Sequence, residues 1–356
     1  MRKRYFAIVL SAILTMVSVS GCTSVVQKKK EGVFTITTSF YPMYVIALNI
    51  AEGAEQVEIR NLASPSTGCL HDYQMRPTDM ITMEESDVMI INGAGMEEFL
   101  EDAQEGVSDL HIIDATEGLE LLESEGSHLH IGVTHDHAEE EEHTHAEEEE
   151  HTHAEEETDH THEEEEHTHE EEGHSHGEYN AHAWLSLEFY KEQVQLVADG
   201  LVKENPENAD IYKENAEKYM RKIDALIELQ EEVKTVTTGK KIVVLHEAFA
   251  YFAKDLGMEV LESLEVESDA GLSAGQIRSL IDEVKESGAD LLISEKQYSG
   301  NIGHTLENEI GIQDITLDSC VTGEMEKNSY LTAMEENLKI LKEAFSDGTQ
   351  LRVSLH

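Results

Sequence analysis

The 356 residues are enough for two domains of ordinary size, and a formal net charge of −50 argues against nucleic acid as a partner, because phosphate would repel so acidic a chain. Twenty of the 75 acidic residues fall within residues 128–176, so the remainder is only moderately acidic and compatible with globular folding. Beyond the N-terminus no apolar run approaches the ~20 residues that a membrane-spanning helix needs. Residues 1–21 read as a signal peptide. Arg2, Lys3 and Arg4 precede an apolar run from Phe6 to Val19, followed by Ser20 and Gly21. The small residues before Cys22 resemble a bacterial lipobox, which predicts Cys22 as the lipidated first residue of the mature chain. An ordinary secretory cut near Gly21 is the alternative. Residues 22–31, with Lys28-Lys29-Lys30, are then a lipidated tether.

From residue 32 strand-like and helix-like segments alternate. Strands are expected at Val33–Thr38, Val57–Leu62, Asp87–Asn92 and His111–Ile113, where β-branched and aromatic residues concentrate. Helices are expected at Tyr44–Glu52, Thr78–Glu85 and Met96–Glu105. This alternation predicts a parallel α/β unit over residues 32–185. It is interrupted at residues 128–176, a stretch with fourteen of the twenty histidines and no Lys or Arg. From His135 onward an H-x-H pair recurs six times, mostly with a run of Glu between pairs. The pairs are His135 with His137, His143 with His145, His151 with His153, His160 with His162, His167 with His169, and His174 with His176. So little apolar surface cannot offset the entropy of ordering, and the tract is expected to be disordered. Paired imidazoles among carboxylates are ligands for divalent metals, zinc first, so these twelve histidines are candidates for accessory, weaker metal binding. A solvated acidic spacer is the bland alternative, but a spacer needs no histidine in every unit.

Residues 186–236 form the link. Leu187–Glu204 is one helical arm, and Asn205-Pro206 restarts the chain as N-cap and first helical residue. Tyr212, Ala216, Tyr219, Ile223 and Leu226 then continue an apolar stripe to about Val233, in a helix roughly 40 Å long. Residues 237–356 repeat the α/β alternation. Strands are expected at Lys241–Leu245, Glu259–Leu264, Leu291–Ser294 and Asp314–Leu317. Helices are expected at Glu247–Leu256, Ser273–Ser287, Asn301–Ile310 and Tyr330–Ser346. The predicted fold class is α/β: two lobes, each a mainly parallel sheet flanked by helices, joined by a long rigid helix.

Six histidines lie outside the tract. His111, His304 and His356 read as surface residues. His71 follows the strand Val57–Leu62, His246 ends Lys241–Leu245, Glu295 ends Leu291–Ser294, and His182 precedes the first helical arm. Ligands of open parallel sheets bind beyond the carboxyl ends of strands, so a pocket between the units can receive His71 and His182 from one side and His246 and Glu295 from the other. Three imidazoles and a carboxylate suit tetrahedral Zn²⁺, whereas manganese favours more oxygen ligands. A filled four-ligand set has no open position for an activated water, which points to holding metal rather than to catalysis. A zinc hydrolase is also disfavoured because His246-Glu247 lacks the second histidine of H-E-x-x-H; position 250 is Ala250.

TTSFYPMY (37–44), GCLHDYQMRPTD (68–79), NAHAWLSL (180–187), VVLHEAFAYFAKDLG (243–257) and LLISEKQYSGN (291–301) together resemble the zinc-binding branch of the metal-specific solute-binding proteins of bacterial ABC importers. The likeness runs in order over nearly all of residues 32–346. It implies a metal site in the cleft between the lobes, with His71, His182 and His246 as ligands and Glu295 as a fourth in some members; others use water or another carboxylate. Manganese-specific members often carry a carboxylate at one such position, so His246 favours zinc. The resemblance further implies an extracytoplasmic receptor, held at the outer face of the membrane by lipid alone, that passes Zn²⁺ to an ABC permease and its ATPase as a monomer. A manganese receptor of the same class, or a metal-buffering or adhesive surface lipoprotein, is the alternative. The sequence departs from the family pattern at Cys69, two residues before His71, and at Cys320. If these loops face one another over the cleft, a Cys69–Cys320 disulfide or a thiolate ligand becomes possible.

Overall fold

A computed structural model describes residues 31–70, 73–100, 106–107, 110–124, 179–263, 274–298 and 302–351. Residues 1–30, which include the signal segment, Cys22 and the tether up to Lys30, lie outside the described residues, as do His71 and His356. So does the whole histidine tract, and with it every one of the candidate accessory ligands: His135, His137, His143, His145, His151, His153, His160, His162, His167, His169, His174 and His176. In the first lobe the strands are β1 (Phe34–Thr38), β2 (Val57–Asn61), β3 (Val88–Ile91) and β4 (His111–Asp114), with helices α1 (Tyr41–Ile50) and α2 (Pro77–Glu84). Two helices follow, α3 (Leu187–Glu204) and α4 (Ala209–Thr237). The second lobe holds β5 (Lys241–Val244), α5 (Ala250–Asp255), β6 (Glu259–Ser263), α6 (Ala274–Ser287), β7 (Leu291–Glu295), α7 (Ile302–Ile310), β8 (Asp314–Leu317) and α8 (Ser329–Leu351).

Both sheets are parallel throughout, and they share one order: β2-β1-β3-β4 and β6-β5-β7-β8. The expected two-lobe α/β architecture is what the chain adopts. The strands are short apolar runs because helices cover both faces. Ile242, Val244, Leu291 and Ile293 face the large central core, while Val243, Leu245 and Leu292 alternate onto an outer cluster with Leu280, Val284 and Leu306. Met89 does the same in the first lobe, packing outward with Leu62, Met83 and Leu100.

The central core belongs to both lobes. Ile36, Val88 and Ile90 of the first sheet share it with Ile242, Val244 and Ile293 of the second, through Tyr190, Tyr212 and Tyr219 of α3 and α4 and through Tyr330 and Met334 of α8. Tyr190 and Tyr330 stack with ring centroids 3.6 Å apart. Trp184 donates to Ser319 O at 2.8 Å and its carbonyl accepts from the Tyr330 hydroxyl at 2.6 Å. Asn49 of α1 reaches the carbonyl of Lys327 at 2.8 Å. Gly323 is required at this crossing, since a Cβ there would lie 2.3 Å from the Tyr41 hydroxyl oxygen.

With 29 residues, α4 is about 43 Å long. Asn208 at its start accepts from Glu55 N and donates to Glu55 O, in the turn before β2. At its end the Thr237 hydroxyl donates to Leu256 O, behind α5. The helix is therefore fastened to a different lobe at each end. Residues 205–208 break the link, with Asn205 accepting from Asn208 N as the predicted cap. One expected element differs: in place of a helix from Met96, residues 94–98 form a turn and helix begins at Phe99. The carboxylate of Glu97 folds back onto the amides of Asn92 and Gly93, which holds the turn open.

Candidate metal centre

An open sheet of this order reverses direction between its two central strands, and the crevice beyond their carboxyl ends is where ligands bind. In the second lobe those strands are β5 and β7. Leu245 N still donates to Ile293 O, so the ladder holds the backbone up to His246, which leaves β5 extended. Glu295 is the last residue of β7, paired in register with Leu317. The two side chains meet: His246 Nδ1 lies 2.8 Å from Glu295 Oε2. Glu295 is buried, and its other oxygen accepts from the Ser319 hydroxyl. A carboxylate oxygen accepts, so the tautomer that satisfies this bond has its proton on Nδ1 and its lone pair on Nε2.

His182 comes from the segment that enters α3, and both lobes hold that segment. Asn92 of the first lobe donates to Ala181 O. In the second lobe the Tyr251 hydroxyl donates to Asn180 O, and Asn180 Nδ2 donates to Glu247 O. With its amide nitrogen so engaged, Asn180 turns Oδ1 toward His182 and accepts from both the backbone N and the ring Nδ1, at 2.9 and 3.0 Å. Nδ1 is again the protonated nitrogen and Nε2 the one with the lone pair. His182 is fully buried, and its ring centroid lies 4.9 Å from that of His246.

The third member is Cys69, on the loop after β2. Leu62 N and Ala63 N donate to Thr38 O and Ser39 O, tying the start of the loop to the end of β1. Gly68, at φ 83°, then turns the chain so that Cys69 Sγ lies 3.2 Å from His182 Nε2. Among the described residues Cys69, His182 and His246 form a group whose donor atoms all lie within 4.8 Å of one another. Burial pushes the Cys69 thiol well up from its ordinary range, and the negative charges of Glu295 and Glu247 add to this. Without a cation the sulfur is therefore a neutral thiol; a divalent ion reverses that balance.

The structure thus brings together His182, His246 and, behind His246, Glu295. The fourth predicted ligand, His71, lies outside the described residues, as do the twelve paired histidines of the tract. No disulfide joins Cys69 to Cys320: both are free, and Cys320 Sγ sits 3.6 Å from Asp318 O. His111 and His304 are exposed, beside Glu204 and Glu307. Sequence reasoning had no signal for Asn180 beyond its place two residues before His182.

The sequence model of the family described as zinc-uptake complex component A, periplasmic, matches residues 36–344. The high-affinity zinc uptake system protein ZnuA of Bacillus subtilis is 26% identical over 345 residues, covering 94% of this chain and 96% of that protein. The manganese-binding lipoprotein MntA of Halalkalibacterium halodurans is 22% identical over 346 residues, covering 95% and 97%. Among solved structures, Zn(II)-bound AdcA from Streptococcus pneumoniae superposes with a TM-score of 0.66 at 22% identity. That likeness in fold covers 88% of this chain and 58% of the AdcA chain.

Proposed function

We infer function from the premise that this chain belongs to the family of periplasmic zinc-uptake complex component A: it captures Zn²⁺ outside the cytoplasm for uptake by an ABC importer. We assign the captured ion to the cleft between the lobes. The observation that carries this is the pair His182 and His246, whose ring centroids lie 4.9 Å apart and each of which has Nδ1 held by an oxygen, so that Nε2 is the nitrogen that would coordinate. His71, expected on the same loop as Cys69, is the third imidazole. Glu295 either enters the shell or, as its bond to His246 supports, orients that ring. Cys22 anchors the protein to the membrane through lipid, and the cognate permease with its ATPase receives the ion from a monomeric receptor. Among the described residues no helix is long and apolar enough to cross a membrane.

The histidine tract, with its six H-x-H pairs from His135 to His176, is an accessory collector that raises zinc concentration near the cleft or buffers excess. Metal-competition calorimetry tests the assignment on the full chain and on a chain lacking residues 134–176. Deletion is expected to lower stoichiometry and to leave one tight site that prefers Zn²⁺ over Mn²⁺. Loss of the tight site on deletion would make the tract the receptor, and a preference for Mn²⁺ would move the protein to the manganese class. Imidazoles must be neutral to ligate, so affinity should fall as pH drops below ~6.5.

A further inference from the structure

We propose, resting on the function inferred above, that Cys69 is a thiolate ligand of the captured ion and the residue that sets its preference for zinc over manganese. Cys69, His182 and His246 arrive from three separate segments, yet their donor atoms lie within 4.8 Å of one another. In a tetrahedral site with Zn–N near 2.0–2.1 Å and Zn–S near 2.3 Å, neighbouring donors sit about 3.4–3.8 Å apart. Cys69 Sγ and His182 Nε2, at 3.2 Å, are already close to that edge. The remaining separations need to contract by about 1.4 Å at most.

The loop is built to deliver this sulfur. Its entry is tied to β1, Gly68 makes the left-handed turn, and Leu70 is buried in the central core immediately after Cys69. Both imidazoles are held from behind, which leaves the sulfur as the third converging donor. Cys69 carries no disulfide, and the Cys320 sulfur lies against Asp318 O at 3.6 Å.

The chemistry balances without a co-reactant. The S–H bond of Cys69 breaks, a Zn–S bond forms, and the proton leaves to the buffer, so loading releases one proton from this residue. A set of one thiolate and two imidazoles suits Zn²⁺, while Mn²⁺ prefers oxygen ligands and higher coordination. The sulfur therefore sharpens a discrimination that the imidazoles alone provide more weakly.

The test uses the full chain, with a competing chelator present so that only the tight site fills. X-ray absorption of the zinc-loaded protein should show one sulfur scatterer near 2.3 Å. The Co²⁺-loaded protein should show an intense near-ultraviolet sulfur-to-cobalt charge-transfer band that is lost in Cys69→Ser and kept in Cys320→Ser. The tract contains no cysteine, so metal held there cannot supply the signal. Cys69→Ser should also lower zinc affinity about 100-fold or more while changing Mn²⁺ affinity far less. A tight zinc site with nitrogen and oxygen scatterers alone overturns the ligand assignment and leaves the receptor function standing; absence of any tight zinc site overturns both. Should Cys69→Ser fail to fold, the absorption spectrum of the wild type still decides.

Discussion

The two lobes have the same four-strand parallel order, yet the crevices at their central strands hold different chemistry. In the second lobe, the ends of β5 and β7 carry His246 and Glu295, whose side chains bond to each other. In the first lobe, the ends of β1 and β3 carry Ser39 and Asn92. Both serve Glu97, whose carboxylate accepts from the Ser39 hydroxyl and from the amides of Asn92 and Gly93. Asn92 in turn bonds Ala181 O and the side chain of Gln193. One crevice is spent on holding its own loops and the segment that carries His182; the other holds a bonded imidazole–carboxylate pair, the one proposed above to serve the ion. Topology provides the place, and the residues at two strand ends decide whether that place binds something.

Substitutions at the two crevices should therefore fail differently. His246→Ala or His182→Ala should cost the tight site about 1,000-fold in zinc affinity, roughly 4 kcal/mol, with the circular dichroism spectrum unchanged; competition calorimetry reads this. Glu97→Ala should do the converse. It strands two amide donors and a hydroxyl, each costing about 1–3 kcal/mol, so chemical denaturation should show a loss of at least ~3 kcal/mol in metal-free protein, with zinc affinity reduced less than by either histidine change. Equal losses of affinity from both crevices would dissolve the contrast.

Glu97 also gives the first lobe a pH signature. Burial raises its pKa to about 7, against the lowering effect of its three donors. Its folded value lies above that of an exposed carboxyl, so its contribution is full below ~4.5 and is lost as pH rises through ~7. Relative to Glu97→Gln, the wild type with chelator present should lose about 2–3 kcal/mol between about pH 5 and about pH 8. A flat difference would mean that the carboxyl is ionised throughout.

In the second lobe, Glu295→Ala should weaken zinc binding about 10–100-fold as an orienting partner of His246, and Glu295→Gln, which can still accept from Nδ1, should weaken it less. A loss from Glu295→Gln as large as from His246→Ala would make Glu295 a ligand. The smallest effect expected is at the strut: Thr237→Val removes the bond to Leu256 O and should cost about 1 kcal/mol of stability with zinc affinity unchanged.

Much of this was legible in the sequence. Short apolar runs such as KIVV and LLIS gave the strands, and the stripe Tyr212–Leu226 gave α4. His246 and Glu295 stood out because each ends such a run. The rest depended on contacts between distant segments. Helix α1 starts at Tyr41 rather than Tyr44 because Pro42 occupies its first turn. The helix expected from Met96 begins later because Glu97 bonds backwards. The convergence of Cys69 with His182 arises from loop closure across 113 residues, which no local pattern encodes. The fastening of α4 by Asn208 and Thr237 is equally invisible, since polar residues near helix ends usually only cap them.

That fastening bears on timing. A helix anchored to one lobe at Asn208 and to the other at Thr237 resists separation of the sheets, because opening them would have to bend it or break the shared tyrosine core. With the ion held as proposed, its exchange would be paced by the short loops that bring in Cys69 and His182, and loop motions run on nanosecond-to-microsecond scales rather than those of domain hinges. The residence time of the ion would be governed by how strongly its donors hold it, and a docked partner could shorten that time by displacing one loop while the frame between the sheets stays at fixed gauge.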